Sequence, residues 1–555
     1  MTWKAAKPIN YFATVPDFEH VLELRMGRAL PEAFRERLVS FGELVATEIE
    51  PAVVVLERHR EFPQLRPYDE FGQRIDEIEF HPANDIAAAA AWSSGMLATA
   101  LDAEGAFQLA AQFLLLSYVG EGGQACPIVC TIGLRRALEH HASEELKNRY
   151  LALLANDDAS EALRGAQFLT EVQGGSDVGA NVVAASPDPT IPGAWRISGE
   201  KWFCSVADAD LFAVTARPVA SPPGTRGLGC FVVPRLLDGA PNGFRLRRLK
   251  DKLGTRALAS GEIDFDNALA WPIGELENGF KIAVSELLNT SRWLNAVGST
   301  GIMCRSYFEA SSFARHRHAF GVTINTFAAV RAQLALMKSE AVAALSSTFA
   351  LTAFVARIDE GTASEADVAI HRFLVNANKY VTSVAASDVV HRAIEVLGGN
   401  GTIEDFSALP RLYRDAVVFE SWEGTHNVLC AQVRRDCVRL GLLEPVEAWV
   451  HELLAPINVA PDARHVIEEA LEALRPGLER SLTDDAYAET SFRDHLTSLM
   501  TIIQASCLLG EAQHSSSSEK TALARLFIER HLSTPRPFEE PGWHAYVGDA
   551  LGCDV

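Results

Sequence analysis

Phe168-Leu169-Thr170-Glu171-Val172-Gln173-Gly174-Gly175-Ser176-Asp177 stands where the character of the chain changes. Upstream, residues 20 to 160 are rich in Ala and Leu, with helical periodicity and few strand signals. Ala87 to Ala91 and Phe107 to Leu116 read as buried helices, and Pro82 and Pro127 punctuate them. From Gly165 to Gly279, short β-type runs broken by Gly and Pro take over. Trp195-Arg196-Ile197-Ser198 alternates, Leu211 to Val214 and Cys230 to Val233 are continuous apolar runs, and Ile263 and Phe265 alternate with Glu262, Asp264 and Asp266. The turn-rich gaps Ser186 to Gly193 and Ser221 to Gly229 separate them. The pattern spells a compact β-domain of sandwich or barrel type.

Helix returns after Gly279. Phe280, Ala283, Val284, Leu287 and Leu288 mark one stripe, Val330, Leu334 and Met337 another, and Ala369 to Val396 a long third stretch. Long helices with such faces pack as a bundle. A tail from about Gly441 shows helical patterning at Val466 to Leu474 and His495 to Leu509, with a low-complexity loop at Ser515 to Ser518. The reading is an α+β multidomain chain without internal repeats. A helical domain spans 1–160, a β-domain 161–278, a helical bundle 279–440 and a helical extension 441–555.

At 555 residues the chain is too long for one core. Its nine cysteines are scattered; Cys126 and Cys130 lack the second ligand pair of a zinc site, so no metal is expected and the thiols read as reduced. Met1 to Asp17 carries no apolar stretch of the secretory kind, and no apolar run reads as long enough to span a bilayer. A cytoplasmic protein is the simplest expectation. The formal net charge of -22 leaves nucleic-acid binding to a local basic patch. The best cluster, Arg245, Arg247, Arg248, Lys250, Lys252 and Arg256, reads as a surface loop paired with nearby acids.

Chemistry-bearing residues concentrate in five segments. In Ser421-Trp422-Glu423-Gly424-Thr425, a carboxylate beside an apolar ring is a candidate general base, because such a wall disfavours its charge. The alternative is an exposed loop Glu between turn residues. Leu397-Gly398-Gly399-Asn400-Gly401 would let backbone N–H groups approach a phosphate or flat ring. The opening Phe168–Asp177 stretch has hydroxyls and a glycine backbone suited to a polar ring edge, or is merely a turn. Gly199-Glu200-Lys201-Trp202-Phe203-Cys204-Ser205 ends a strand in aromatics and a hydroxyl, and Arg315-His316-Arg317-His318-Ala319-Phe320-Gly321 offers arginines for a pyrophosphate.

In this order the segments resemble the acyl-CoA dehydrogenase family of flavoproteins over about residues 20 to 440. The resemblance implies an N-terminal α-domain, a middle β-domain and a C-terminal four-helix bundle, assembled as a homotetramer with FAD at a subunit interface. It implies flavin contacts at Phe168, Thr170, Ser176, Phe203, Cys204 and Ser205, with further FAD contacts at Thr425 and Asn427. Arg317, Gly398 and Gly399 resemble positions that hold the FAD pyrophosphate of the neighbouring subunit. Arg292, Gly424, Ser176 and Ser205 resemble substrate-side positions. Glu423 resembles the base that takes the α-proton of an acyl thioester while flavin N5 accepts the β-hydride, giving a trans-2-enoyl product. The isovaleryl-type base position, one before Arg292, holds Ser291 instead.

Arg66-Pro67-Tyr68-Asp69-Glu70-Phe71-Gly72, Thr170 to Asp177 and Leu249-Lys250-Asp251-Lys252-Leu253-Gly254 look like the AidB-like branch, as does the long tail. Ala328 occupies the place of the family's usual glutamine after the Phe-Gly pair. That branch implies two functions. One is dehydrogenation of a medium-, long- or branched-chain thioester, on CoA or a carrier protein, with an unnamed electron acceptor. The other is binding of DNA or another macromolecule in a stress response, with weak dehydrogenation. Residues 441–555 hold 19 Asp and Glu against 8 Lys and Arg, a balance of -11, which argues against a DNA-binding tail.

Overall fold

The computed structural model describes residues 3, 9–100, 104–515, 517–533 and 548–552. They group into two compact units. One combines 47–102 with 119–294, the other 1–46, 103–118 and 295–555.

The first unit holds the β-domain. Strand Ser260–Pro272 is its longest element and pairs with Phe244–Leu249, with Trp195–Ser205 and, at its far end, with Gly229–Pro234. Trp195–Ser205 pairs with Ala184–Pro187, which pairs with Leu211–Pro218, which returns to Gly229–Pro234. These pairings close a ring, so the barrel alternative of the sequence reading is the one observed. Leu211–Val214 and Cys230–Val233 are buried at every position, which is why they read as unbroken apolar runs. Of the basic cluster, Arg245, Arg247 and Arg248 lie on the Phe244–Leu249 strand rather than a loop. Arg247 pairs with Glu200 (2.6 Å) and Asp264 (2.5 Å), and Arg248 and Lys250 share Glu262.

Two features of this unit escaped the sequence reading. Within the segment read as helical, Gln64–Tyr68 and Arg74–Glu79 form an antiparallel pair. Asp69 Oδ1 accepts from the backbone N–H groups of Phe71 and Gln73 to close their turn. Only Ile75 and Ile78 alternate with charges here and neither strand buries a face, so the period-2 signal is faint. Ala283–Leu288, read as one stripe of a regular helix, is a π-helical turn between Gly279–Ile282 and Asn289–His316.

The second unit is built on long helices, Ala328–Asp359 and Glu365–Leu397, with the part of Asn289–His316 from residue 295 onward. Ser364 caps the second of them in a reciprocal box with Asp367, each satisfying a free N–H of the other's turn. Glycine permits close packing here: a Cβ at Gly301 would stand 2.5 Å from the Leu114 carbonyl oxygen. Helix Ala328–Asp359 corrects one expectation, since it is long and apolar enough to cross a bilayer. Its most apolar window is 89% buried, so alanine-rich packing against neighbouring helices accounts for its composition. The eight described cysteines form no disulfide and are buried, and Cys126 Sγ and Cys130 Sγ lie 3.8 Å apart.

The extension folds into the same unit as helices Leu443–Leu454, Pro461–Thr483, Asp485–His514 and Ser518–His531. Of the Ser515–Ser518 run, Ser516 lies outside the described residues, as does 534–547; Ser517 caps the last helix. Glu511, fully buried, joins the extension to the bundle. It bonds Arg25 (2.7 Å), Lys520 (2.8 Å) and the Ser346 hydroxyl (2.5 Å), and Lys520 also reaches Asp17 (2.8 Å). Burial alone would raise the Glu511 pKa, but Lys520 and Arg25 hold it below the usual carboxylate value. Glu511→Ala would remove the carboxylate that Arg25 and Lys520 share, leaving Lys520 its bond to Asp17, and is expected to cost about 3–5 kcal/mol. Thermal unfolding should shift down and the extension should become cleavable by protease; an unchanged melting profile and digestion pattern would refute the tether.

Candidate active site

In the bundle unit, Glu423 sits in the turn between helices Leu409–Ser421 and His426–Leu440. The preceding helix ends there because Trp422 turns extended, its ring stacked on Phe419 at 4.7 Å. Glu423 is half-buried and adopts φ 55°, a left-handed conformation strained for a side chain with a Cβ, and Gly424 follows at φ 111°. The turn is held from below by Lys379, buried in the middle of Glu365–Leu397. Lys379 Nζ donates to the carbonyls of Glu420 (2.9 Å) and Gly424 (3.2 Å).

A second link locks the same turn. Glu420 Oε2 pairs with His426 Nε2 at 2.9 Å, and Glu420 Oε1 accepts from the Ser387 hydroxyl. Burial works to raise the Glu420 pKa, yet the bonds from His426 and Ser387 prevail and lower it. His426 Nδ1 is buried without a hydrogen-bond partner, an orphaned polar atom one residue past Thr425. Thr425 is exposed, and its side chain does not cap the following helix. Asn427 is exposed and its Oδ1 accepts from Arg493 (3.0 Å), a residue of the extension that also reaches Tyr380.

Gly398 ends the Glu365–Leu397 helix at φ 62° and opens the short turn Gly398–Thr402. Where a Cβ would stand at Gly398 or Gly399 there is open space. Nineteen residues of one helix separate Lys379 from Gly398, about 28 Å at 1.5 Å per residue. Within one protomer the glycine cluster and Glu423 are therefore not one constellation. Arg317 is exposed just past helix Asn289–His316, in a hairpin whose tip residue Phe320 is 94% exposed.

The β-domain unit brings its own residues together. The Trp202 N–H donates to the Thr170 carbonyl (3.0 Å), which joins the Phe168–Ser176 segment to the strand bearing Phe203 and Ser205. Beneath them Glu171 and Lys201, both buried, pair at 2.9 Å, and Glu171 also accepts the backbone N–H groups of Val182 and Val183. Burial lowers the Lys201 pKa, with Glu171 opposing it. The strand alternates as its period of two requires. Phe203 is 55% exposed and Ser205 half-buried, while Cys204 points inward, its thiol pKa pushed far up by burial. Lys250 Nζ stands 3.4 Å from the Trp202 ring centre and 4.8 Å from that of Phe203. Phe168 is buried against Phe212, so it and Cys204 present only backbone outward. Thr170 is half-buried and Ser176 exposed. Arg292 is buried in its helix near Asn289, and Ser291 accepts from Gln167 (2.8 Å).

Lys379, Glu420, His426 and Arg493 were not found by sequence reasoning. Only Glu420 and His426 lie near the quoted motif, and a carboxylate and imidazole six residues apart across Trp-Glu-Gly are the one local signal available.

Residues 166–268 match the acyl-CoA dehydrogenase middle domain, 277–437 the acyl-CoA dehydrogenase C-terminal domain, and 5–158 the N-terminal domain of the adaptive response protein AidB. The chain is 35% identical over 386 residues to the putative acyl-CoA dehydrogenase AidB of Escherichia coli, covering 67% of this chain and 69% of that protein. It is 28% identical over 562 residues to acyl-CoA dehydrogenase family member 11 of Caenorhabditis elegans, covering 96% and 89%. The crystal structure of Caenorhabditis elegans ACDH-11 in complex with C11-CoA superposes with a TM-score of 0.87 at 25% identity, covering 96% of this chain and 92% of that one.

Lys379→Met would leave two carbonyls of the Glu423 turn without their donor, at about 1–3 kcal/mol for an unsatisfied buried acceptor. Amide hydrogen exchange over residues 420–428 is expected to quicken about tenfold or more. Because the Glu420 pKa is depressed, its bonds to His426 and Ser387 persist above the ordinary carboxylate range and fail as pH falls through the lowered value. Exchange in the same segment should therefore quicken on acidification, and Glu420→Gln should abolish that acid step. Exchange that ignores both changes would mean the turn is held by other contacts.

Proposed function

The chain belongs to the acyl-CoA dehydrogenase family, in its AidB-like branch, and on that premise we propose that it dehydrogenates a medium-, long- or branched-chain acyl-CoA to the trans-2-enoyl-CoA with Glu423 as α-proton base. The observation that carries this reading is the Glu423 turn, a carboxylate held at a strained backbone angle by a buried lysine and a carboxylate–imidazole pair. Strain of this kind persists only where surrounding structure over-determines it, and such places are commonly functional.

FAD, when bound, supplies the two-electron acceptor for the hydrogen leaving the β-carbon. The residues present fit it. The exposed Phe203 ring, the Thr170 and Ser205 hydroxyls and the open Gly174 backbone offer the β-domain a surface for a flat polar ring. Phe168 and Cys204 would contribute only their main chain. In the bundle unit the orphaned His426 Nδ1 lies beside Thr425, and the open Gly398–Gly399 backbone and exposed Arg317 suit a pyrophosphate. The separation of the glycine pair from the Glu423 turn along the Glu365–Leu397 helix favours service to a neighbouring protomer, in keeping with the family's homotetramer.

Glu423 acts on the α-carbon. The α-proton of a thioester is weakly acidic, and a positioned carboxylate contributes about 10²–10⁴-fold to its removal. Arg292 in the β-domain unit and Gly424 in the bundle unit each resemble substrate-side positions of the family. Chain length draws on the C11-CoA complex of the nematode relative, which aligns along 96% of this chain, extension included. The DNA-binding alternative draws on the AidB match, but the balance of -11 over 441–555 counts against it.

Anaerobic titration with acyl-CoAs of graded length is expected to bleach the flavin absorbance of the purified protein, most strongly for medium or long chains. No bleaching at any length, with salt-sensitive DNA binding in its place, would favour the alternative. Glu423→Gln should retain FAD yet lose reduction by substrate about 10²–10⁴-fold; undiminished bleaching removes Glu423 from the chemistry. Arg317→Ala should release flavin on desalting and lower the assembly state, and a fully loaded variant would argue against the pyrophosphate role.

A further inference from the structure

Among the described residues one cluster gathers donors suited to a transition-metal ion, and acyl-CoA oxidation has no use for it. His140 and His141 end the helix Ala125–His141. Glu286 lies on the π-helical turn Ala283–Leu288, which packs against that helix. His140 Nδ1 stands 3.1 Å from one Glu286 oxygen and His141 Nε2 3.4 Å from the other, and the three donor atoms all lie within 4.8 Å of one another. We propose that His140, His141 and Glu286 form a Zn²⁺ site.

The donor set and spacing carry the proposal. Zinc takes imidazole nitrogen and carboxylate oxygen at about 2.0–2.2 Å, so donors around a tetrahedral ion stand roughly 3.3 Å apart. His140 Nδ1 stands at that spacing from one Glu286 oxygen and His141 Nε2 from the other, so the carboxylate would face the ion with both oxygens, and donor pairs as far apart as 4.8 Å would draw in on binding. Two neutral imidazoles and one carboxylate leave a net positive ion with a further position open to water. The carboxylate is buried, at 11% exposure, while the histidine rings are 41% and 34% exposed, so the ion would enter from the solvent side. Ser285 Oγ donates to Glu286 Oε1 at 3.0 Å and fixes the carboxylate's orientation. Outer partners of this kind tune metal sites. Arg136 Nε lies 3.8 Å from the other oxygen and competes electrostatically with the ion.

The π-turn is the second observation. An extra residue in a helical turn rotates the side chains that follow it, and such bulges concentrate at functional positions. Here the turn carries Glu286 opposite two consecutive histidines at a helix end. An ion at this place would fasten that helix end to the segment that continues into Ser291 and Arg292.

The test uses the full-length protein after chelator treatment and dialysis, titrated with Zn²⁺ alone by calorimetry and with Co²⁺ by visible absorbance. One high-affinity Zn²⁺ per chain is expected, with Co²⁺ bands of a low-coordinate nitrogen–oxygen site and no response to Mg²⁺. His140→Ala and His141→Ala should each weaken Zn²⁺ by about tenfold or more. Zn²⁺ should raise the melting temperature of the parent but not of the double variant. Both histidines are solvent-exposed, so these variants keep the fold. No stoichiometric Zn²⁺ uptake, or undiminished uptake by the double variant, would reduce the cluster to hydrogen bonds between histidine and glutamate.

Discussion

The buried ammonium of Lys379 is the interaction on which the candidate site depends. Removing a charge from water is costly, so a lysine without exposed surface must be matched by well-placed acceptors. Here these include two main-chain carbonyls, of Glu420 and Gly424, which bracket Glu423. Hydrogen bonds to a charged group are worth about 1.5–3 kcal/mol each. The left-handed backbone at Glu423 costs about 1–3 kcal/mol. Two bonds outweigh one strained residue, so the lysine decides the conformation of the turn and with it the direction of the carboxylate. The same helix face supplies Ser387 and Tyr380, which reach Glu420 and His426. The geometry of the Glu423 turn is thus set by the Glu365–Leu397 helix more than by its own loop.

The β-domain solves a matching problem with the same device. The Gly174–Gly175 loop would be free to wander if only its turn residues held it. Glu171 at its root is buried, accepts two backbone N–H groups and is neutralised by Lys201 on the neighbouring strand. The pair joins the two motifs that the sequence offered separately, the Thr170–Asp177 segment and the Gly199–Ser205 strand. In both units a buried lysine anchors a segment that carries glycine, Lys379 through the Gly424 carbonyl and Lys201 through Glu171 and the Leu169 carbonyl.

Legibility in the sequence followed the range of the interactions. The β-domain was plain because Leu211–Val214 and Cys230–Val233 are buried on both faces, and the bundle because long apolar stripes repeat at helical spacing. The Gln64–Glu79 strand pair was lost because its faces are exposed and its alternation brief. The π-turn at Ala283–Leu288 leaves the stripe looking regular, since one inserted residue shifts phase by less than a short window resolves. The expectation that no apolar run reaches bilayer length failed at Ala328–Asp359, which is as apolar as a spanning helix and is enclosed by other helices. Glu423, Phe203 and Arg317 were nameable because motif and order carry them. Lys379 and Arg493 were not, because a lysine amid a helix and an arginine in an acidic extension are unremarkable until packing places them 40 to 70 residues from their partners.

Arg493 also changes what the extension is. Its net negative charge describes the surface, yet the contacts that bind it to the bundle are cationic or buried. Arg493 reaches Asn427 and Tyr380, Lys520 and Arg25 converge on Glu511, and Tyr380 meets Thr497. An appendage evolved to seize phosphate would turn its arginines to solvent. Here Arg475 and Arg480 stay 45% and 61% exposed and pair with Glu447 and Asp484 of the extension itself, while Arg493 touches the helix that begins directly after the Glu423 turn. The extension therefore braces the Glu423 end of the bundle through Arg493, while most of its other cations are taken up by its own carboxylates, and an excess of acid remains.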